Sequence, residues 1–322
     1  MLSADRPLRV VFMGTPAVAV PVLSALLDEG HGLVGVYTQP DRQSGRGKRI
    51  VSSMVKQYAL ERGLPVFQPA TLRRDEAARE QMASLSPDLI VVAAYGLFLP
   101  ADTLSLPPLG CLNLHPSLLP RYRGATPVAS AILEGDPVTG VTIIRLDQGM
   151  DTGPVVAQKE TSIGPDETTE GLTSRLFLMG AALLVEVLPD WQHGKIRAQA
   201  QDASLATVTE RLSKDDGEID WTCPAVWLAR QVRAYHPWPG SFTHWNGKTL
   251  KVLAAKAIAS DARPTDSQGL VKQVPEGVGV ATGEGALVLE QVQMEGRRPV
   301  STREFVQGHR NFIGSRLGAG AA

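Results

Sequence analysis

The chain has 322 residues, 43% hydrophobic and 20% charged, with 32 Lys plus Arg against 33 Asp plus Glu for a net charge of −1. That length and balance fit about two folded domains with sizeable cores. They exclude a disordered protein and an indiscriminate polyanion binder, whose affinity would need a basic excess.

In chain order, the first two-thirds alternate strand and helix. Leu8–Met13 is a β-branched apolar run ended by Gly14, and helical spacing over Ala17–Leu27 stops at Gly30. Leu33–Thr38 reads as a strand and Val51–Glu61 as a helix closed by Gly63. Asp88–Ala94 is nearly all apolar, the pattern of a strand covered on both faces. Cys111–His115 is a short strand, Pro127–Leu133 a helix, and Val141–Asp147 and Pro154–Gln158 two strands joined by a Gly-rich turn. Thr168–Leu188 is a long helix that Pro189 should end. This alternation predicts an α/β domain with a parallel-type sheet. After Ala206 the texture changes to short strands, Phe242–Trp245 and Thr249–Ala254 around an Asn246-Gly247 turn, then Val278–Thr282 and Ala286–Val292. Only Pro224–Tyr235 and Thr302–Arg310 look helical there, so a small β domain of OB-like type is expected. The domains are drawn at 1–206 and 207–322, with a polar linker over about 189–212.

Cys111 and Cys223 stand alone, which leaves neither a disulfide framework nor a thiolate zinc site. The six histidines are scattered without an HExxH, so no metal is predicted. Gly14-Thr15-Pro16 is a tight turn, not a GxGxxG, and Gly247-Lys248-Thr249 lacks the earlier glycine of a phosphate loop. The N-terminus shows no signal region and no apolar run of membrane-spanning length, so a cytoplasmic protein without a membrane span is expected.

The informative stretch is Cys111-Leu-Asn113-Leu-His115-Pro-Ser117-Leu118-Leu119-Pro120-Arg-Tyr-Arg-Gly124. Asn113 and His115 lie two apart in a strand, so they share a face at its carboxyl end. An amide beside an imidazole suits carbonyl polarisation and proton movement. Further on, Asp147-Gln-Gly-Met-Asp151-Thr-Gly153 places two acids in a Gly-rich loop; a lone loop Asp is usually an Asx-turn residue, and either reading of Asp151 turns on whether it reaches His115.

Together these segments resemble the folate-dependent formyltransferase family, which shares the Asn-x-His strand end, the SLLP loop and the DxGxDTG loop. Val11–Pro16, Tyr37–Arg42, Val92–Gly96, Arg211–Lys214 and Arg233–Gly240 extend the match along the chain, as does Glu295–Pro299. These segments point to the tRNA-acting branch. His236 and Pro116 depart from the common pattern, at positions outside the catalytic types. The resemblance implies a Rossmann-like N-terminal domain and an OB-like C-terminal one. It implies formyl transfer from 10-formyltetrahydrofolate to the α-amine of methionine on initiator tRNA, by a monomer. The implied catalytic residues are Asn113, His115 and Asp151. The folate would lie against Ser117, Leu118, Leu119 and Pro120 and against Val92, Ala94, Tyr95 and Gly96. The implied tRNA contacts are Arg42, Arg46, Lys48 and Arg49 in one basic loop and Arg297 and Arg298 in the second domain. Local charge agrees: Asp41 is the one acid in 41–49, and Glu304 the one acid in 297–316. The alternatives are a family member acting on a sugar amine, a non-catalytic tRNA binder, and a nicotinamide oxidoreductase, which lacks its glycine pattern here.

Overall fold

The computed structural model describes residues 6–44, 49–259 and 268–318. In chain order the elements are β1 (Arg9–Gly14), α1 (Val20–Asp28), β2 (Gly32–Tyr37), β3 (Arg42–Ser44), β4 (Arg49–Val51), α2 (Met54–Glu61), β5 (Val66–Phe67), α3 (Glu76–Ser84), β6 (Leu89–Ala93), α4 (Ala101–Leu104), β7 (Cys111–His115), β8 (Arg123–Gly124), α5 (Pro127–Glu134), β9 (Val138–Arg145), β10 (Val155–Ser162), α6 (Thr169–Gln192) and β11 (Val208–Thr209). There follow α7 (Ala225–Ala234), β12 (Ser241–Trp245), β13 (Lys248–Ile258), β14 (Val271–Val274), β15 (Gly277–Ala281), β16 (Ala286–Met294), β17 (Val300–Ser301) and α8 (Thr302–Gly308). The chain divides into two compact units: Met1–Pro127 with Val138–Ser162 and Thr173–Thr209, and Val128–Pro137 with Ile163–Leu172 and Glu210–Ala322.

The first unit holds a seven-stranded sheet in the order β10-β9-β7-β6-β1-β2-β5. The expected parallel sheet is present from β7 to β5, and the edge formed by β9 and β10 is antiparallel. The chain leaving His115 doubles back and re-enters the sheet at the same end, so Thr142 pairs with His115 and Arg145 with Leu112. The apolar run of β6 is explained by its two buried faces. Leu89, Val91 and Ala93 enter one core cluster, Ile90 and Val92 another. β7 obeys the same period: Leu112 and Leu114 join the first cluster and Cys111 the second, so Asn113 and His115 lie on the Cys111 face.

α6 covers the opposite face, with Phe177, Ala181, Leu184 and Leu188 in the Leu114 cluster. It is the one helix among the described residues long and apolar enough to cross a bilayer, but those side chains already lie in this core. The helix does not end before Pro189; it continues to Gln192. The proline removes one donor, and the added turn is held by Trp191 Nε1–H donating to the Leu109 carbonyl at 3.0 Å and Gln192 Nε2–H to the Arg6 carbonyl at 3.3 Å. Several short elements escaped the sequence reading, among them β5, α4, β8, β11, β14 and β17, and two longer features did so for physical reasons. α3 buries only Met82, which leaves little apolar periodicity, and the β3–β4 hairpin lies within the stretch read as a basic loop.

The second unit is built on a six-stranded antiparallel sheet in the order β12-β13-β16-β15-β14, with β17 on β16. Its core gathers Trp221, Leu228, Trp245, Val252, Leu289, Phe305 and Phe312. Asn246 and Gly247 both take positive φ, 49° and 69°, as a two-residue primed turn requires.

Gly180 sets how closely α6 lies under the site strand: a Cβ there would fall 2.4 Å from Leu114 Cδ1 and 2.8 Å from Val141 Cγ2. Gly180→Ala should therefore destabilise the protein by about 1–3 kcal/mol through overpacking. Calorimetry would show a lowered Tm, and an unchanged Tm would place the helix farther from the sheet.

Candidate active site

His115, the last residue of β7, is 4% exposed. Its Nε2 lies 2.9 Å from the Tyr122 carbonyl. A carbonyl can only accept, so Nε2 carries the hydrogen and, in the neutral ring, Nδ1 carries the lone pair. Nδ1 faces Asp151 Oδ2 at 3.5 Å. Burial pushes the His115 pKa below its ordinary value of 6.5, opposed by the Asp151 carboxylate and the Tyr122 carbonyl. Burial thus favours the neutral ring, and the carboxylate stands where it stabilises the protonated form.

Asp151 reaches this position by an indirect route. Leu146 is still level with Cys111, whose carbonyl accepts its N–H at 2.8 Å, so the loop must cross the Asn113–His115 face to bring Asp151 to His115. The two acids of the loop divide as their surroundings dictate. Asp147 Oδ1 accepts from Gly149 N–H at 3.0 Å and Thr152 Oγ1–H at 2.6 Å, closing an Asx turn. Asp151, at φ 54°, turns its carboxylate inward, where Oδ2 also accepts Gly124 N–H at 2.9 Å. At Gly153 a Cβ would stand 1.9 Å from the Arg145 carbonyl oxygen, so only glycine lets the loop return.

Asn113, beside Val92 in the sheet register, is half-buried, and its carboxamide has no hydrogen-bond partner among the described residues. This open amide stands two residues from the fixed imidazole on the same face, where it can donate to a bound group. Cys111, two residues back, is inert: burial pushes its thiol up to about 12.

The Ser117–Pro120 loop follows directly. Thr142 Oγ1–H donates to the Ser117 carbonyl at 2.6 Å, while the same oxygen accepts Leu119 N–H at 3.2 Å and Gln158 Nε2–H at 2.8 Å. Ser117 and Leu119 are buried; Leu118 and Pro120 are half-buried. On the neighbouring segment Val92 and Tyr95 are buried, Ala94 is half-buried and Gly96 is exposed. The Tyr95 ring belongs to the core, and its carbonyl accepts Gln39 Nε2–H at 2.8 Å. Gln39 Oε1 in turn accepts from the exposed Arg42 guanidinium. Arg46 and Lys48 lie outside the described residues, and of Arg49 only its strand pairing with Ser44 is described. In the second unit Arg297 and Arg298 line a cavity of about 850 Å³ with Trp245, Lys248 and His309, and Arg298 pairs with Glu304 at 2.9 Å.

The sequence reading missed the groups that hold the site in place. The Tyr122 carbonyl and Gly124 N–H are backbone atoms with no side-chain signature, and Thr142, Gln158, Arg123 and Gln201 contribute from other elements. Thr142→Val keeps the shape but leaves Ser117 C=O and Leu119 N–H without their shared partner. It should cost about 1–3 kcal/mol in urea denaturation; a midpoint equal to wild type would show that the loop is anchored elsewhere.

Sequence comparison adds to this geometry. The family model described as formyl transferase matches residues 8–188, and that described as formyl transferase, C-terminal domain, matches residues 211–310. The methionyl-tRNA formyltransferase of Roseiflexus sp. is 50% identical over 98% of this chain and 97% of its own length. That of Chloroflexus aggregans is 49% identical over 94% and 97%, and that of Methylococcus capsulatus 45% over 97% and 100%. Among solved structures, the N-formyltransferase from Helicobacter canadensis in complex with folinic acid and dTDP-3-aminofucose aligns with a TM-score of 0.67 at 16% identity, over 89% of this chain and 99% of that one. The sugar 3N-formyltransferase WlaRD, solved with dTDP and 5-N-formyl-THF, gives 0.65 at 16% identity, over 91% and 100%. These two likenesses speak to the fold alone. With both family models matched in order and about half of its residues shared with full-length relatives, this chain belongs to the formyltransferase family, alongside the methionyl-tRNA formyltransferases.

Proposed function

We propose that this enzyme transfers the formyl group of 10-formyltetrahydrofolate to the α-amine of methionyl initiator tRNA, working as a monomer in the cytoplasm. The observation that carries the chemistry is the open Asn113 carboxamide beside a buried His115 whose tautomer is fixed and whose Nδ1 faces Asp151. The tRNA acceptor is favoured over a sugar amine because relatives at 45–50% identity carry that name, while the sugar-acting structures share 16%.

In this reading the amine attacks the formyl carbon and negative charge grows on the formyl oxygen. Asn113 donates to that oxygen, an interaction that strengthens as the charge develops. Neutral His115 takes a proton from the attacking amine at Nδ1. The imidazolium formed stands beside Asp151, donates toward the reacting centre and returns the proton to the departing N10. Leu118 and Pro120 supply apolar surface for the flat ring of the donor, with Val92 packed in the core behind the site, and the exposed backbone at Gly96 offers peptide groups to its polar edge. Arg42, with Arg46, Lys48 and Arg49, engages the acceptor stem. Arg297 and Arg298 hold the tRNA body through phosphate contacts.

The direct test is incubation with 10-formyltetrahydrofolate and methionyl initiator or elongator tRNA. Formylmethionine should form on the initiator, and formylation of an amino sugar instead would overturn the assignment. Asn113→Ala should lower kcat by about 10²–10³-fold at an unchanged Tm, because the amide gives up no protein hydrogen bond. Turnover near wild type would remove Asn113 from the mechanism.

The pH dependence follows from the buried imidazole. Its neutral form is active and its pKa is lowered, so kcat should fall only as the pH drops below the ordinary 6.5. Asp151→Asn removes a charge that raises that pKa, so the acid limb of the residual activity should move to lower pH. A limb that stays in place or moves up would refute the pairing.

A further inference from the structure

Ala198–Thr209, which the sequence presents as a polar linker, is built into the catalytic unit. Gln199 and Val155 exchange both backbone hydrogen bonds at 2.7 and 2.8 Å. Val208 and Thr209 pair with Arg123 and Gly124, and Thr207 Oγ1 accepts Tyr122 N–H at 2.8 Å. Between these anchors stands Gln201. Its Nε2 donates to the Asp151 carbonyl at 2.8 Å and the Gly153 carbonyl at 2.7 Å. Its Oε1 accepts from Arg123 Nε at 3.1 Å and from the second guanidinium nitrogen at 2.8 Å.

The bonds close a ring. Arg123 lies between Tyr122, whose carbonyl fixes the His115 tautomer, and Gly124, whose N–H holds the Asp151 carboxylate. The Gln201 amide joins that segment to the backbone of Asp151 itself. Asp151 sits at φ 54°, a conformation L residues seldom adopt, and the bond to its carbonyl helps keep it there.

We propose that Gln201 is a positioning residue for formyl transfer: it sets the separation and facing of the Asp151 carboxylate and His115 Nδ1. This rests on the roles given above to those two residues. The chemistry demands a carboxamide of this length. Two hydrogens on one nitrogen serve the two carbonyls, and the oxygen serves the guanidinium. A carboxylate would still accept from Arg123 but would face two carbonyl oxygens with no hydrogen to offer. An asparagine falls one methylene short. Gln201 touches no group assigned to either substrate, so its loss should act on turnover and leave substrate binding in place.

The test uses the full-length enzyme and the variants Gln201→Glu, Gln201→Ala, Asp151→Asn and the Asp151→Asn/Gln201→Glu double. Misplacing a reacting pair costs about 10²-fold in rate. Gln201→Glu should therefore lower kcat by that order while both KM values stay within about twofold. In Gln201→Ala, which adds no charge, the acid limb of kcat should move toward lower pH, and the double variant should be no slower than Asp151→Asn alone. If the introduced carboxylate prevents folding, Gln201→Ala is read against the same criteria. Wild-type kcat and pH profile in both Gln201 variants would overturn the proposal, as would a fall in kcat that tracks a fall in Tm or multiplies with Asp151→Asn. Wild-type turnover in Asp151→Asn would overturn the site assignment itself and the proposal with it, an outcome distinct from failure of Gln201 alone.

Discussion

The site depends on one contact, the bond between His115 Nε2 and the Tyr122 carbonyl. A buried imidazole has two nitrogens and a choice of tautomer, and an acceptor on one side removes the choice. Everything else at the site follows from which nitrogen remains. Because Nδ1 keeps its lone pair, a carboxylate beside it stabilises a proton that arrives and contributes little until then. Burial lowers the His115 pKa, and the Asp151 carboxylate beside Nδ1 opposes that shift.

That contact needs a strand that stops abruptly. Pro116 cannot extend the ladder, and the chain turns back as the Ser117–Pro120 loop, which Thr142 and Gln158 of the antiparallel edge pin in place. The antiparallel edge is thus part of the site, since the strand carrying Thr142 must re-enter beside His115 for the loop to have a partner. On the other face, Gly180 lets the long helix lie close against Leu114, which steadies the strand from behind.

The sequence was legible wherever period and position coincide. Strand β6 could be read from its unbroken apolar run, the Asn246-Gly247 hairpin from its dipeptide, and the Asn113–His115 pair from a spacing of two in a short strand. Asp147 and Asp151 could not be told apart by spacing, because their roles depend on whether the loop crosses the sheet face. Pro189 misled because its lost bond is offset by side chains from Trp191 and Gln192. The Tyr122 carbonyl, the Gly124 N–H and Gln201 left no trace: backbone groups carry no residue signature, and a glutamine in a polar stretch has no periodicity.

The strap closing on Arg123 and Asp151 has a bearing on how the enzyme comes into being. Asn113, His115 and Asp151 all lie within residues 8–188, the span of the N-terminal family match, but Gln201, Thr207 and Thr209 come after it. A nascent chain therefore carries Asn113, His115 and Asp151, with the Tyr122 carbonyl and Gly124 N–H that hold the latter two, before it carries Gln201 and the other anchors of the strap. The sheet can form early from neighbouring strands, whereas the strap closes on it across a long sequence separation. On the proposal that Gln201 aims the His115–Asp151 pair, the site is complete only once residues 198–209 have joined the sheet, a step that does not wait for the rest of the 322-residue chain.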